Sequence, residues 1–256
     1  MTTATPIFYP EVSNIEKAYQ RLKGVVVNTP LQEQFQLSER YEANIAFKRE
    51  DLQVVRSYKI RGAYNKMSSM DSESLSAGIV CASAGNHAQG VALSCQKLKV
   101  KGAIFMPTTT PQQKVSQAKR FGKEFTQIVL TGDTFDESYQ AAKAYCEEEG
   151  RKFIHPFDDE KVIEGQGTVG SEILKDTPQE IDYLFLPVGG GGLSAGVSAV
   201  FKAISPNTKI IGVEPKGAPA MRDSIAQGER LTLSDINKFV DGASVQQVGE
   251  KNFEIC

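Results

Sequence analysis

The chain has 256 residues, 40% of them hydrophobic, and balances 29 Lys and Arg against 31 Asp and Glu for a formal charge of −2. That length buries a substantial core, as one large α/β domain or as two smaller lobes, and excludes a disordered chain. With no long run of either sign there is no electrostatic footprint for nucleic acid or a membrane surface, and small-molecule chemistry becomes the default. The four cysteines, Cys81, Cys95, Cys146 and Cys256, are far apart, and the two histidines, His87 and His155, do not cluster. Neither a disulfide framework nor a metal site is indicated. The opening MTTATPIFYPEVSN has no basic region followed by an apolar stretch, and no segment is apolar for long enough to span a bilayer. A cytoplasmic, reducing setting is expected.

In chain order, short β-branched or apolar runs read as buried strands: NIAF (44–47), GIVCAS (78–83), KGAIFMP (101–107), FTQIVL (125–130), KFIHPF (152–157), DYLFLPV (182–188) and KIIGVEP (209–215). Amphipathic stretches between them read as helices. VVRSYKIRGAYNKM (54–67) puts Ile60, Ala63, Tyr64 and Met67 on an inward face with Ser57 as N-cap. AGNHAQGVALSCQKLK (84–99), PQQKVSQAKRFG (111–122), TFDESYQAAKAYCEEEG (134–150) and SAGVSAVFKAI (194–204) follow. The alternation predicts parallel sheets covered by helices, an α/β architecture. No repeat, low-complexity segment or Pro/Ser-rich linker interrupts it, so if there are two lobes the chain crosses between them more than once.

Three stretches carry chemistry. Lys59 falls in the first turn of the helix within 54–67, where the positive end of the helix dipole and the neighbouring Arg56 and Arg61 all disfavour an ammonium. A lysine of lowered pKa is a competent nucleophile toward a carbonyl and a competent base; the plain alternative is a solvated basic helix end. In CASAGNHAQGVALS (81–94) a strand ends near Ala82, and Ser83, Ala84, Gly85, Asn86 and His87 form a small polar turn into a helix. Its successive N–H groups can receive an anion such as a carboxylate, and Asn86 adds a donor and an acceptor. Taken singly, Asn86 also reads as a helix cap and His87 as a satisfied buried histidine.

The third stretch, LFLPVGGGGLSAG (184–196), runs from an apolar strand into four glycines and a helix start, leaving N–H groups bare for a phosphate. Val197 and Ser198 follow Gly196 where a nucleotide P-loop needs Lys and Ser or Thr, so that reading fails. Gly190 to Ala195 does satisfy G-x-G-x-x-A, with Glu214 closing a later strand about twenty residues on, which keeps an NAD-binding oxidoreductase open on this stretch alone. A turn with no ligand is disfavoured, since each glycine loses about 0.5 to 1 kcal/mol relative to Ala in regular structure.

Together these residues resemble the pyridoxal-phosphate enzymes of fold type II, the tryptophan synthase β-like family, and within it the threonine ammonia-lyases, also called threonine dehydratases or deaminases. KREDLQVVRSYKIRGAYNKM (48–67) resembles the segment that carries the cofactor lysine, which the resemblance places at Lys59. SAGNHAQG (83–90) is similar to the turn that binds the substrate carboxylate, through Ser83, Ala84, Gly85, Asn86 and His87, with Asn86 beside the cofactor's 3'-oxygen. GGGGL (189–193) resembles the phosphate cup, Gly189, Gly190, Gly191, Gly192 and Leu193. HPFDDEKVIEGQGTVGSEI (155–173) and DGASVQQVGE (241–250) share the family's look, and the resemblance runs from Val25 onward.

The resemblance implies two lobes, each a mostly parallel sheet covered by helices: residues 1–60 and 158–256 in a larger cofactor-binding lobe, and 61–157 in a smaller lobe inserted in it. It implies pyridoxal 5'-phosphate as cofactor, a small amino acid as substrate, and a homo-oligomer, dimer or tetramer. The activity it implies is deamination of L-threonine by α,β-elimination of water, giving 2-oxobutanoate and ammonia toward isoleucine. Serine dehydratase and serine racemase are the competing activities. Animal-type racemases place metal-binding acidic residues just after the strand that here ends in Glu214, whereas EPKGAPAM (214–221) has no second carboxylate before Asp223, so no metal is expected. Val54 stands where the family commonly has proline. The family's catalytic region continues beyond the position of Cys256 and there carries the Ser or Cys that pairs with the pyridine nitrogen. The chain is therefore expected to be an N-terminal portion, and a further reading is an inactive piece that only associates with full-length subunits.

Overall fold

The computed structural model describes residues 8–177 and 179–256; the first seven residues of the opening segment lie outside the described residues. Helix α1 (Val12–Leu22) buries Ile15, Ala18 and Leu22, the i, i+3, i+7 stripe of an amphipathic helix. Strands β1 (Leu31–Glu33) and β2 (Ala46–Lys48) pair antiparallel, with Leu31 opposite Lys48 and α2 (Phe35–Tyr41) between them. The run at 44–47 is thus shifted to 46–48, antiparallel and mostly exposed, in a two-stranded ribbon apart from the four-stranded parallel sheet.

A single 3₁₀ turn, Glu50–Leu52, leads toward α3 (Lys59–Ser68). Ser57 does not cap this helix: Tyr58 precedes it in helical conformation without a side-chain cap, and the Ser57 hydroxyl is buried with no partner. Just before it, Arg56 takes the left-handed conformation (φ 62°) and redirects the chain. Ile60, Ala63 and Met67 are buried as the periodicity predicts, and Tyr64 is half-buried beside Val55, Ile60 and Leu93.

After α4 (Ser72–Ala77) the chain builds its main sheet. Strands β3 (Ile79–Ala82), β4 (Gly102–Met106), β5 (Thr126–Leu130) and β6 (Lys152–Phe153) alternate with α5 (Asn86–Leu98), α6 (Gln112–Gly122) and α7 (Phe135–Glu148) and pair in parallel in the order β5-β4-β3-β6. The two-residue period of a strand sorts the side chains. Ile79, Cys81, Ile104 and Met106 pack with residues of α3, α5 and α6, while Val80, Ala82, Ala103 and Phe105 pack with Ala142 and Cys146 of α7. Helices on both faces explain why β3 and β4 are buried throughout. The run at 152–157 leaves the sheet after Phe153; Pro156 has no N–H for a ladder.

Helix α8 (Glu160–Asp176) then leads to β7 (Tyr183–Pro187), α9 (Gly192–Ile204), β8 (Lys209–Val213), α10 (Ala220–Gln227) and α11 (Glu250–Ile255). Strands β7 and β8 pair in parallel, from Tyr183 beside Lys209 to Pro187 beside Val213. One face packs on α8 and α9 through Leu186, Val169, Ile173, Val197 and Phe201; on the other, Tyr183 and Phe185 are 51% and 62% exposed. These two runs are therefore covered on one face only. The architecture is α/β, parallel strands under helices, as the alternation predicts. No helix among the described residues is long and apolar enough to cross a membrane.

Helix α3 ties the parts together. On one side its Ala63 and Met67 join the core of the four-stranded sheet; on the other it crosses α8, where a Cβ on Gly165 would stand 2.7 Å from the Arg61 carbonyl oxygen and from the Gly62 Cα. Arg61 lies at that crossing, bonded at 2.7 Å to Glu50 and at 2.7 Å to Glu172, and Lys48 meets Glu172 at 2.8 Å. The first residue of α3 is thereby held from two directions.

Candidate active site

The glycine loop begins where β7 ends. Gly191 has φ 93°, a conformation only glycine adopts without strain, and it turns the chain directly into α9. The Gly190 carbonyl oxygen accepts from the N–H of Gly249 at 3.0 Å and from Asn252 Nδ2 at 2.7 Å. The positive end of a thirteen-residue helix thus opens on a loop with no side chains, an arrangement that receives anions. A side chain on Gly190 would collide with the Phe157 ring, and one on Gly192 would stand 2.8 Å from the Phe157 carbonyl oxygen. Leu193 is buried with its side chain in the core shared by α8 and α9, so only its backbone is offered to the loop.

Lys59 is the first residue of α3, and its amine donates to the carbonyl oxygen of Pro156 at 2.8 Å. The Tyr58 and Phe157 rings flank it at 5.6 and 5.9 Å. Burial pushes its pKa down to about 8. The direction is the expected one, but the cause is different: Arg61 is spent on Glu50 and Glu172, Arg56 is exposed, and desolvation carries the shift. Lys59 and Gly189, Gly190, Gly191, Gly192 and Leu193 line one cavity, closed by Tyr58, Phe157, Pro187, Gly242 and Val245.

The turn before α5 sits on the adjoining element. Gly90 of α5 lies so close to α3 that a Cβ there would be 3.1 Å from the Lys59 carbonyl oxygen. Asn86 opens α5, is exposed, and has its Nδ2 3.8 Å from where a Cβ on Gly242 of the cavity wall would stand. Within the turn, the Gly85 N–H donates to the Ser83 hydroxyl at 3.2 Å, and Ala84 packs on the core of the four-stranded sheet. His87 is different. Its side chain is buried, and Nε2 donates to the Ile154 carbonyl at 2.9 Å, while Nδ1 is without a partner. Burial pushes its pKa down to about 3, and the nearby Lys59 lowers it further. Only the His87 backbone is at the turn; its ring belongs to the interior, buried as the alternative reading has it but with one of its two nitrogens unpartnered.

Sequence reasoning assigned no role to Tyr58, Pro156, Phe157, Gly242, Val245 or Asn252. Pro156 and Phe157 fall in HPFDD, Gly242 and Val245 in DGASVQQVGE, and Tyr58 in the 48–67 segment, stretches with a family look, whereas nothing in the sequence marks Asn252. Glu214, the acidic partner demanded by the dinucleotide reading, accepts the N–H groups of Met221 and Arg222 at 2.8 Å each, so its carboxylate caps α10. That reading is overturned. No group of three or more His, Cys, Asp or Glu side chains is placed to hold a metal among the described residues, and all four cysteines are free.

An amine of lowered basicity and a glycine-only helix start sharing one cavity suit a cofactor that carries both an aldehyde and a phosphate. The chain belongs to the family described as pyridoxal-phosphate dependent enzymes, whose model matches residues 22–256. Among its relatives, the biosynthetic L-threonine dehydratase IlvA of Halalkalibacterium halodurans is 59% identical over 246 residues, 96% of this chain and 59% of that protein. The solved processed form of threonine deaminase isoform 2 from Solanum lycopersicum is 46% identical, with a TM-score of 0.89 over 98% of this chain and 74% of that one. Maize serine racemase is 33% identical, with a TM-score of 0.92 over 97% of this chain and 74% of that one. The chain spans about three fifths of the length of the curated relatives it matches.

Proposed function

We propose that the chain carries the site for pyridoxal-phosphate-dependent deamination of L-threonine to 2-oxobutanoate and ammonia. The observation that carries the reading is the shared cavity of Lys59 and the glycine loop; the similarity to threonine dehydratases supports the substrate. Serine, the substrate named for the racemase, is the second reading, supported by the lower identity of 33%.

In this reading the loop from Gly189 to Leu193 binds the phosphate with its backbone N–H groups, and the Asn86 amide serves the ring oxygen. When bound, pyridoxal phosphate supplies the electron-withdrawing ring that makes the substrate's α-proton acidic. With a pKa of about 8, Lys59 holds an appreciable neutral fraction near pH 7, so its Nζ can attach the cofactor and, once displaced, take that proton. The turn from Ser83 to His87 orients the substrate carboxylate through its N–H groups. Tyr58 and Phe157 exclude water from Nζ. Loss of the β-hydroxyl and hydrolysis of the product complete the conversion. The same reading assigns 61–157 to a smaller lobe inserted in a larger one, and carries over a cytoplasmic homo-oligomer, dimer or tetramer.

The test is an absorption spectrum of the protein and of Lys59→Ala with pyridoxal phosphate, then with threonine or serine. The expected result is a visible band of lysine-linked cofactor in the parent alone, and ammonia release with threonine. An equal band in both proteins sinks the assignment of Lys59. A normal band without ammonia release favours the piece that only associates with full-length subunits.

A further inference from the structure

The chain has two histidines, and both act on the same short segment between β6 and α8. His87 reaches across from α5 to the carbonyl of Ile154 at 2.9 Å. His155 folds back on its own chain: Nδ1 accepts the N–H of Asp158 at 2.7 Å and that of Phe157 at 3.3 Å, and its ring meets the Phe157 ring edge-on with centroids 4.8 Å apart. Residues 156–158 of this segment bear on the site. The Pro156 carbonyl holds the Lys59 amine at 2.8 Å. The Phe157 ring stands against Gly190, and the Phe157 carbonyl accepts from Asn252 Nδ2 at 3.1 Å, the same group that holds Gly190. The Asp158 carboxylate accepts the N–H groups of Glu250 and Lys251 at 3.0 Å each and so caps α11.

We propose that His155 is a positioning residue: by accepting the two N–H groups it fixes the turn 155–158, which sets the carbonyl that holds Lys59 and the ring that borders the glycine loop. The inference rests on the reading of Lys59 as the cofactor lysine for its functional meaning, though not for its geometry. An imidazole accepts at Nδ1 only while that nitrogen is unprotonated. Burial pushes the His155 pKa down to about 4; Asp158 and Asp159 oppose that shift, while Lys59 and Lys143 reinforce it, so Nδ1 is free to accept at neutral pH.

The geometry makes a sharp demand on replacements. The Oδ1 of asparagine stands at the same reach from the backbone as histidine Nδ1 and makes the same local turn, whereas the Gln carbonyl lies one carbon further out, near the Nε2 position. The experiment compares His155→Asn with His155→Gln in the cofactor-free chain. Competitive acetylation of Lys59 across pH, read by mass spectrometry, gives the titration midpoint and reactivity of its amine; visible titration gives the affinity for pyridoxal phosphate. His155→Asn should keep the parent midpoint. His155→Gln should let water reach Lys59 and raise the midpoint by about one pH unit, a roughly tenfold smaller neutral fraction at pH 7, with cofactor binding weakened about tenfold. Parent-like behaviour of His155→Gln overturns the proposal, and so does equal loss in both variants. If neither variant gives the parent far-ultraviolet circular dichroism, His155 is a requirement of the fold and the proposal falls. Because acetylation is read without cofactor, its outcome is separable from failure of the Lys59→Ala spectrum.

Discussion

The guanidinium of Arg61 meets the carboxylate of Glu172 at 2.7 Å, with side chains 0% and 2% exposed. Glu172 also faces Lys48 at 2.8 Å, so one carboxylate answers two buried cations, and Glu50 answers Arg61 from the other side. Glu172→Gln keeps the shape and removes the charge. It should destabilise the fold by about 3–5 kcal/mol, the penalty for breaking a buried pair, as a lower urea midpoint. A change below about 1 kcal/mol would mean that Glu50 on Arg61 and Asp176 on Lys48 neutralise the cluster without Glu172.

Lys59 is a cost to the fold. Its folded pKa of about 8 lies below the ordinary lysine value of 10.5, so the unfolded chain binds the proton more readily. Stability is therefore lowest below pH 8 and rises as pH climbs through the interval between the two values. Lys59→Met removes the charge and forfeits the bond to Pro156. In the cofactor-free protein it should be more stable by about 1–2 kcal/mol at pH 7, with the advantage fading by pH 10. Thermal melts at both pH values check it.

Gly191 combines a left-handed φ of 93° with a crowded site, since an added Cβ would lie 2.7 Å from the Cβ of Asn252. Gly191→Ala should cost more than about 1 kcal/mol of stability and weaken pyridoxal phosphate binding. Unchanged binding, read by visible titration, would show that the loop tolerates a different path into α9.

Val54 is the second residue of a turn closed by the Arg56 N–H on the Gln53 carbonyl at 2.8 Å. Gln53 is extended (φ −59°, ψ 155°), as a residue before proline prefers, and Val54 is exposed. Val54→Pro should raise stability by about 0.4–1 kcal/mol by restricting the unfolded chain, measured as a higher Tm.

What could be read in advance follows from the range of the physics. Strands β3 and β4 are continuous apolar runs, and α5, α6, α7 and α9 lie where periodicity and boundary residues put them, because those signals are local. Helix α8 contains Gly165, Gly167 and Gly170, residues of low helix propensity, so no local signal announces it. In the fold Gly165 permits close approach to α3, and Gly167 lies where a Cβ would be 2.9 Å from the Gly196 carbonyl of α9. Tertiary contact reverses the local preference there. The position of Lys59 at a helix start was legible, but the reason for its pKa was not, since Phe157 and Pro156 arrive from nearly a hundred residues away. Asn252 and Pro156 act on or through backbone carbonyls, which leave no mark in residue type.

Burial keeps the imidazoles and thiols of this protein from changing charge at neutrality. Imidazoles and thiols ordinarily change charge closest to physiological pH. Here burial moves both histidines down, to about 3 and about 4, and raises all four cysteines, Cys95 to about 12. Among these perturbed side chains, the first proton given up on raising the pH above neutrality is the one on Lys59, at about 8. Near that pH the reactivity of the Lys59 amine toward an acylating reagent therefore reports whether the reactive lysine carries its proton.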